Sequence, residues 1–304
     1  MNFKSPAFKL ACLSTFIGSV TSIVYKYLMV SGISPISIGL VEALTIIFFL
    51  IPFVKWKETK RLAPRKKIFV TVGALLQGLG TFFSYLALDR LDPITFSFLG
   101  RNQVTISILL GYFFLAERHS LYVWVFLIFS LIGSMLLCYS DLSGSSGLGI
   151  ALTLMACFAY SLRSYVMKLY SGVSTLSEIF YGYLVTMALI FAAIYFKRAK
   201  EIEILNYFPS LYAILIIVAT AIFSVLGSSY FYLKALNYGK LSLVSSIRLF
   251  SPYLVALYSQ FFYRYEFKMT NIYGLILMSL AILIFIMGKF GVFHTSQKTK
   301  EQVV

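Results

Sequence analysis

Long apolar stretches separated by short polar junctions run along almost the whole chain. Each stretch is about the length an α-helix needs to cross a hydrocarbon core of about 30 Å, roughly 20 residues at 1.5 Å each. The pattern predicts ten such spans, near 7–31, 35–54, 66–88, 93–116, 120–139, 147–170, 174–197, 211–236, 241–264 and 270–290. Most junctions carry turn formers or charge: SGISP, WKETKRLAPRKK, DRLDP, AERHS, SDLSGSSG, SGVST, KRAKEIEILNYFPS, NYGK and YRYEFK. None of them has room for a soluble domain. The basic, apolar start is not followed by an A-x-A cleavage pattern, so it reads as a retained first span.

The pattern also repeats. YKYLMVSGISPIS (25–37) resembles YVMKLYSGVSTLS (165–177) at an offset of 140, pairing Tyr25 with Tyr165, Gly32 with Gly172, Ser34 with Ser174 and Ser37 with Ser177. Further on, YLALDRLDPITFSFLGRNQVTISILLGYFFLAE (85–117) matches YLKALNYGKLSLVSSIRLFSPYLVALYSQFFYRYE (232–266) at offsets of 147 to 149, which places Glu117 on Glu266. Five spans per half is an odd number, so the second half must enter the membrane upside down. The expected fold class is therefore an all-α polytopic membrane protein with ten transmembrane helices in two inverted five-helix repeats. The repeats cover residues 1–140 and 141–291, and a tail covers 292–304. Inverted repeats of this kind characterise secondary transporters.

Composition narrows the class. The chain is 60% hydrophobic and only 12% charged, with mean hydropathy +0.86; a soluble domain carries about 25% charge. The net charge of +15 does not point to nucleic acid, because the cations cluster between spans and no recognition motif is present. With the N-terminus placed inside, 16 of the 26 Lys/Arg fall on inner segments, 6 on outer loops and 4 within spans. That asymmetry predicts cytoplasmic N- and C-termini, with the basic 55–67 segment as the strongest anchor.

The charges within the spans are the candidate chemistry. Lys26, Arg101, Arg163, Arg248, Glu42 and Glu178 sit where a charge costs about 2.5–3.5 kcal/mol on insertion scales. Each should face a cavity, find a partner, or reach toward water. Counted at 1.5 Å per residue, Lys26, Glu42 and Arg101 lie about 7, 10 and 12 Å from the outer ends of their spans. Arg163, Glu178 and Arg248 lie about 10, 6 and 10 Å from the inner ends. Two clusters are expected, each with two cations and one acid, one toward each membrane face. At offset 140, Lys26 falls one helical turn from Arg163, and Glu42 one turn from Glu178, so each pair shares a helix face. Arg101 and Arg248 should line a central path, and the surplus positive charge favours a carboxylate or another anion. Lys26, Arg163 and Glu178 are near enough to span ends for snorkelling to explain them instead.

Tyr85, Tyr160, Tyr165, Tyr230, Tyr232 and Tyr253 belong to spans around that path, and Tyr85 and Tyr232 are candidate substrate contacts. The amides of Gln77, Asn102 and Gln103 suit helix–helix hydrogen bonds. Pro252, four residues after Arg248, predicts a kink or pivot. Gly78, Gly80, Gly227 and Ser228 predict close helix packing. No HExxH, GxSxG, P-loop or GxGxxG motif occurs, and His119 and His294 are far apart, so no enzyme and no cofactor is expected. Cys12, Cys138 and Cys157 have neither zinc nor disulfide spacing and read as small buried hydrophobes.

The order of these features resembles the EamA-type permeases of the drug/metabolite transporter superfamily. The resemblance rests on ALDRLDPITFSFLGRNQVTISILLGYFFLAERHSLYVWVFLIFSLIGSMLL and ALNYGKLSLVSSIRLFSPYLVALYSQFFYRYEFKMTNIYGLILM. Each half of such permeases ends in an aromatic-rich helix, an acidic residue before a short loop, and a last apolar span. Glu117 and Glu266 match the acidic positions and Pro252 the preceding proline. Gln103 replaces the first-half proline, and Glu42 stands in VEALTIIFFLIPF, near where an Arg is common. The resemblance implies a central cavity lined by spans 1, 3, 4, 6, 8 and 9, and movement of amino acids and related metabolites. The resulting expectation is a secondary permease in a bacterial inner membrane, moving a small amphipathic metabolite by alternating access. The cargo expected is an amino acid or a carboxylate-bearing derivative, with Glu42 or Glu178 as candidate proton carriers and a homodimer as a candidate assembly. Two alternatives stand beside it: an exchanger of nucleotide-like metabolites such as S-adenosylmethionine, and a non-transporting membrane scaffold subunit.

Overall fold

The first helices share one start signal. α1 (Pro6–Val30), α2 (Pro35–Leu50), α3 (Pro64–Arg90) and α4 (Pro93–Leu99) all have proline in their first turn. The missing N–H costs nothing there, and the fixed φ suits the helix. Ser5, Ser34 and Asp92 cap three of them, accepting from the backbone N–H of Phe8, Ser37 and Thr95. Gly32 turns the chain from α1 into α2 at φ 90°, a left-handed conformation natural only to glycine.

The computed structural model describes residues 5–57, 63–117, 120–140, 145–169, 174–198, 209–262 and 269–289. After α4 come α5 (Asn102–Phe114), α6 (Leu121–Ser140), α7 (Ser145–Leu169) and α8 (Thr175–Arg198). They are followed by α9 (Leu211–Thr220), α10 (Gly227–Tyr238), α11 (Leu241–Ile247), α12 (Ser251–Phe262) and α13 (Met269–Lys289). A π-helical stretch, Ala221–Leu226, joins α9 to α10, and a 3₁₀ turn, Arg248–Phe250, joins α11 to α12. No strand occurs among the described residues. Among the described residues, six helices are long and apolar enough to cross a membrane: Pro6–Val30, Pro35–Phe53, Pro64–Arg90, Gly147–Leu169, Thr175–Tyr195 and Leu211–Tyr238. Leu121–Gly133 and Ile272–Phe285 are shorter apolar stretches. The chain is an all-helical integral membrane protein. Large apolar side chains such as Phe113, Phe223 and Phe261 stand exposed on its outside. Such exposure suits lipid rather than water.

Two expected spans are not continuous helices. In 93–116, α4 and α5 are separated at Gly100 and Arg101, where bonds from Arg101 N to Phe98 O and from Val104 N to Arg101 O tighten the ladder. In 241–264 the helix narrows at Arg248–Phe250. Pro252 explains this second break: it has no N–H to give the carbonyl of Arg248, four residues back, and its ring clashes with it.

The two halves interleave through matched contacts. α3 packs along α7, and α1 along α10; α5 meets α7, and α1 meets α12. α2 faces α8, α6 faces α13, α5 faces α11 and α4 faces α12. Exchanging the halves converts each contact into another on this list or into itself. The repeated serines behave alike, with Ser34 and Ser37 hydroxyls 2.8 Å apart and Ser174 and Ser177 hydroxyls also 2.8 Å apart. Close approach relies on small residues. A Cβ on Gly18 would lie 2.5 Å from the Ser228 hydroxyl, and one on Gly80 would lie 2.8 Å from the Tyr160 ring. Gly78 is similarly tight, whereas a Cβ on Gly227 would find nothing nearer than 3.9 Å.

Candidate functional site

Both helix breaks, several tyrosines and four charged side chains border one cavity of about 260 Å³. Its walls come from α1, α3, α4, α5, α7, α10 and the Arg248 turn, with Glu42 of α2 and Tyr183 of α8 added. Three guanidinium groups and one carboxylate line it: Arg101, Arg163, Arg248 and Glu42.

The basic end is built around the two breaks. Arg101 donates from Nε to Ser97 O at 3.0 Å and from Nη1 to the carbonyl of Arg248. That carbonyl accepts from Ser251 N in the 3₁₀ turn and lacks the α-helical bond that Pro252 cannot give, so one break adds a second donor at the other. The Arg248 guanidinium lies 3.8 Å above the centre of the Tyr232 ring, a cation–π contact. Tyr232 is held in turn by Ser164 at 3.1 Å and Ser245 at 3.2 Å. Around the α4–α5 break, Asn102 Nδ2 donates to Leu99 O at 2.9 Å and Ser161 Oγ to Gln103 O at 2.8 Å. Backbone groups released by a break inside a membrane protein must find such partners.

The acidic end has a different construction. Glu42 is 1% exposed, and Tyr183 donates its hydroxyl to Glu42 Oε1 at 2.9 Å. Tyr25 and Tyr85 turn their hydroxyls toward the same carboxylate. Neither completes a hydrogen bond, so Tyr25 Oη, Tyr85 Oη and Glu42 Oε2 are all buried and unpartnered. Between the two ends, Thr81 accepts from Gln77 Nε2 at 3.0 Å and from the Tyr160 hydroxyl at 3.1 Å. Arg163 is 6% exposed, with Nη2 unpartnered, and Glu178 is the first of the groups it interacts with electrostatically.

The expected pair of separate clusters does not form. Arg101 and Arg248, placed by depth toward opposite faces, share one site. Lys26 does not line the cavity; its ammonium donates to Leu88 O and Asp89 O, both at 2.9 Å, at the C-terminal end of α3. Lys168 does the same at the end of α10, donating to Leu236 O at 2.9 Å and Gly239 O at 2.6 Å. A cation suits the negative end of a helix, and Lys168, not Arg163, is the working counterpart of Lys26. Glu178 is buried in the first turn of α8, outside the cavity lining. Tyr85, Tyr160 and Tyr232 line the cavity. Tyr165 instead packs on Phe114, and Tyr253 on Phe98, while Tyr230 takes Lys234 over its ring.

Tyr25 and Tyr183 were not foreseen as lining residues. Tyr25 opens the repeated motif, and Tyr183 stands 141 residues after Glu42, one beyond the repeat offset. Those two positions were the available signal. Glu117 has a structural role: its Oε1 accepts from Leu241 N at 3.2 Å at the start of α11. Its sequence partner Glu266 lies outside the described residues, as do Arg118, His119 and His294.

A family model described as the EamA-like transporter family matches residues 6–139 and again 147–287. No curated protein matches the chain. One solved crystal structure superposes with a TM-score of 0.63, covering 90% of this chain and 96% of its own, at 17% identity. That likeness concerns the fold alone.

Proposed function

We propose a cargo and a mechanism for a chain that belongs to the EamA-like transporter family and is a membrane transporter of the drug/metabolite type. The cargo is a small amphipathic metabolite bearing a carboxylate, an amino acid or a close derivative. It is moved by alternating access between two inverted five-helix repeats. The observation that carries this reading is the pair Arg101 and Arg248, both on the cavity and both at helix breaks in corresponding positions of the two halves. Interrupted helices at matched positions are where transporters of repeated architecture bind substrate. A guanidinium fork pairs with a carboxylate through two parallel charge-assisted hydrogen bonds.

Size favours the smaller cargo. The cavity has a volume of about 260 Å³. Pockets for drug-sized ligands measure about 300–1,000 Å³, so an amino acid fits this space better than a nucleotide-like metabolite. A cavity bordered by three guanidinium groups and a carboxylate also argues for transport over a scaffold role, because a scaffold gains nothing from charge held beside an open space. The basic 55–67 segment supports cytoplasmic termini, and an inner membrane is the proposed location.

The test is uptake into proteoliposomes. The panel contains amino acids, amine-free carboxylates and S-adenosylmethionine, each offered to wild type, Arg101→Ala and Arg248→Ala. Carboxylate-bearing small solutes should cross, and each variant should reduce flux at least about thirtyfold while still inserting, the scale for removing a buried charged contact. Undiminished transport by both variants, or transport of S-adenosylmethionine alone, would defeat the proposal.

A further inference from the structure

The Glu42 end of the cavity contains an uncommon set of atoms. Tyr25 Oη, Tyr85 Oη and Glu42 Oε2 are buried, lack a hydrogen-bond partner and belong to residues lining the same space. The other carboxylate oxygen is already held by Tyr183. Among the described residues Glu42 makes no ion pair; its interactions are with Tyr25, Tyr85 and Tyr183. A buried carboxylate without a cation is costly, because the attraction that would offset its lost hydration is missing. A lysine or arginine placed there would make it a structural ion pair, and none stands there among the described residues.

We infer that Glu42, Tyr25 and Tyr85 form a binding site for a primary ammonium group, with Tyr183 fixing the carboxylate's orientation. An ammonium carries three N–H donors and no acceptor, and this site offers three oxygen acceptors without partners. One N–H meets Glu42 Oε2 and the others meet the two phenolic oxygens. The ring pair Tyr25–Tyr85, with centroids 6.2 Å apart, forms an aromatic wall beside the charge. A quaternary ammonium presents no N–H, keeps only the aromatic contact and leaves all three oxygens unsatisfied, so it binds more weakly than a primary one.

This deepens the carboxylate proposal and rests on it for one of its two ends. The guanidinium pair takes the carboxylate and the tyrosine-ringed Glu42 takes the amine, so the preferred cargo is a small zwitterion. Two charged ends on one cavity discriminate strongly, because a cargo lacking either group leaves buried polar atoms unpaired.

Binding to purified protein by isothermal titration separates the two ends. Four probes with one carbon skeleton suffice: leucine, 4-methylpentanoate, 3-methylbutan-1-amine and trimethyl(3-methylbutyl)ammonium. Wild type should bind leucine more tightly than 4-methylpentanoate, and the primary amine more tightly than the quaternary one. Glu42→Gln should lose amine binding and weaken leucine about ten- to hundredfold, the range for a charge-assisted hydrogen bond. It should bind 4-methylpentanoate as wild type does, which also shows that it is folded. Tyr85→Phe should weaken leucine less and leave 4-methylpentanoate unchanged. An unaltered leucine preference in Glu42→Gln, or equal binding of the two amines by wild type, would overturn the ammonium site. Glu42-dependent amine binding without any binding of 4-methylpentanoate would uphold the ammonium site and overturn the carboxylate reading. No binding of any probe would overturn both.

Discussion

Tyr85 and Tyr232 occupy matching positions of the repeat, 147 residues apart, and both line the cavity. Their surroundings use them in opposite ways. Tyr85 turns its hydroxyl toward the Glu42 carboxylate. Tyr232 lies flat under the Arg248 guanidinium and sends its hydroxyl outward to Ser164 and Ser245. A phenol offers a polar tip and an electron-rich face. A neighbouring carboxylate is met by the tip and a neighbouring cation by the face. The repeat places the same side chain at both ends, and the sign of the neighbouring charge decides which part of it is used.

The strongest way to break this comparison is to remove one part of each tyrosine at a time. At the basic end, Tyr232→Leu removes the ring under Arg248, and 4-methylpentanoate binding should fall about three- to thirtyfold, the range of a cation–π contact. Tyr232→Phe keeps the face and should fall about threefold at most. At the acidic end the tip matters, so Tyr85→Phe should weaken leucine almost as much as Tyr85→Leu. Equal behaviour of the two positions in titration would dissolve the distinction.

A smaller effect is expected where the halves do the same work. Lys26→Met and Lys168→Met each remove an ammonium held by two carbonyls at a helix end. Each should lower stability by about 1–2 kcal/mol, visible as similar drops in the thermal unfolding midpoint in detergent. Affinity for 4-methylpentanoate should hardly change. A loss of binding in Lys26→Met alone would restore that lysine to the site. The smallest effect belongs to Gly227→Ala, whose new methyl meets nothing within 3.9 Å. It should stay within about 0.5 kcal/mol of wild type, while Gly80→Ala, pressed against Tyr160, should be clearly destabilised in the same assay.

Much of the scaffold was legible because apolar run length and proline–serine punctuation are local signals. Pro6, Pro35, Pro64 and Pro93 each begin a helix, and the serine pairs at 34/37 and 174/177 repeat in space as in sequence. Arg101 and Arg248 stood out because charge is rare in apolar runs. Their meeting was not legible, since depth was counted along straight rods from opposite faces. Those same depths leave only about 8 Å of a core of about 30 Å between them, a gap that two long side chains can close. Lys26 was misplaced because depth carries no information about which side of a helix faces the cavity. The break at Gly100–Arg101 is invisible in the apolar pattern, which runs through it. Tyr183 had no signal beyond its place one residue past the repeat offset from Glu42.

The widened turn at Ala221–Leu226 has a consequence for how this chain tolerates length changes. A π turn holds about one residue more than an α turn, while the flanking helix keeps its heading. Shortening the chain by one residue inside that stretch would let it relax into an ordinary α-helix with Tyr232 still beneath Arg248. The same deletion at Ser229, below the stretch, would swing every later position of the rod by about 100° and carry the ring away from its cation. The bulge is thus slack stored in the backbone, at the level where α1 and the cavity wall meet it.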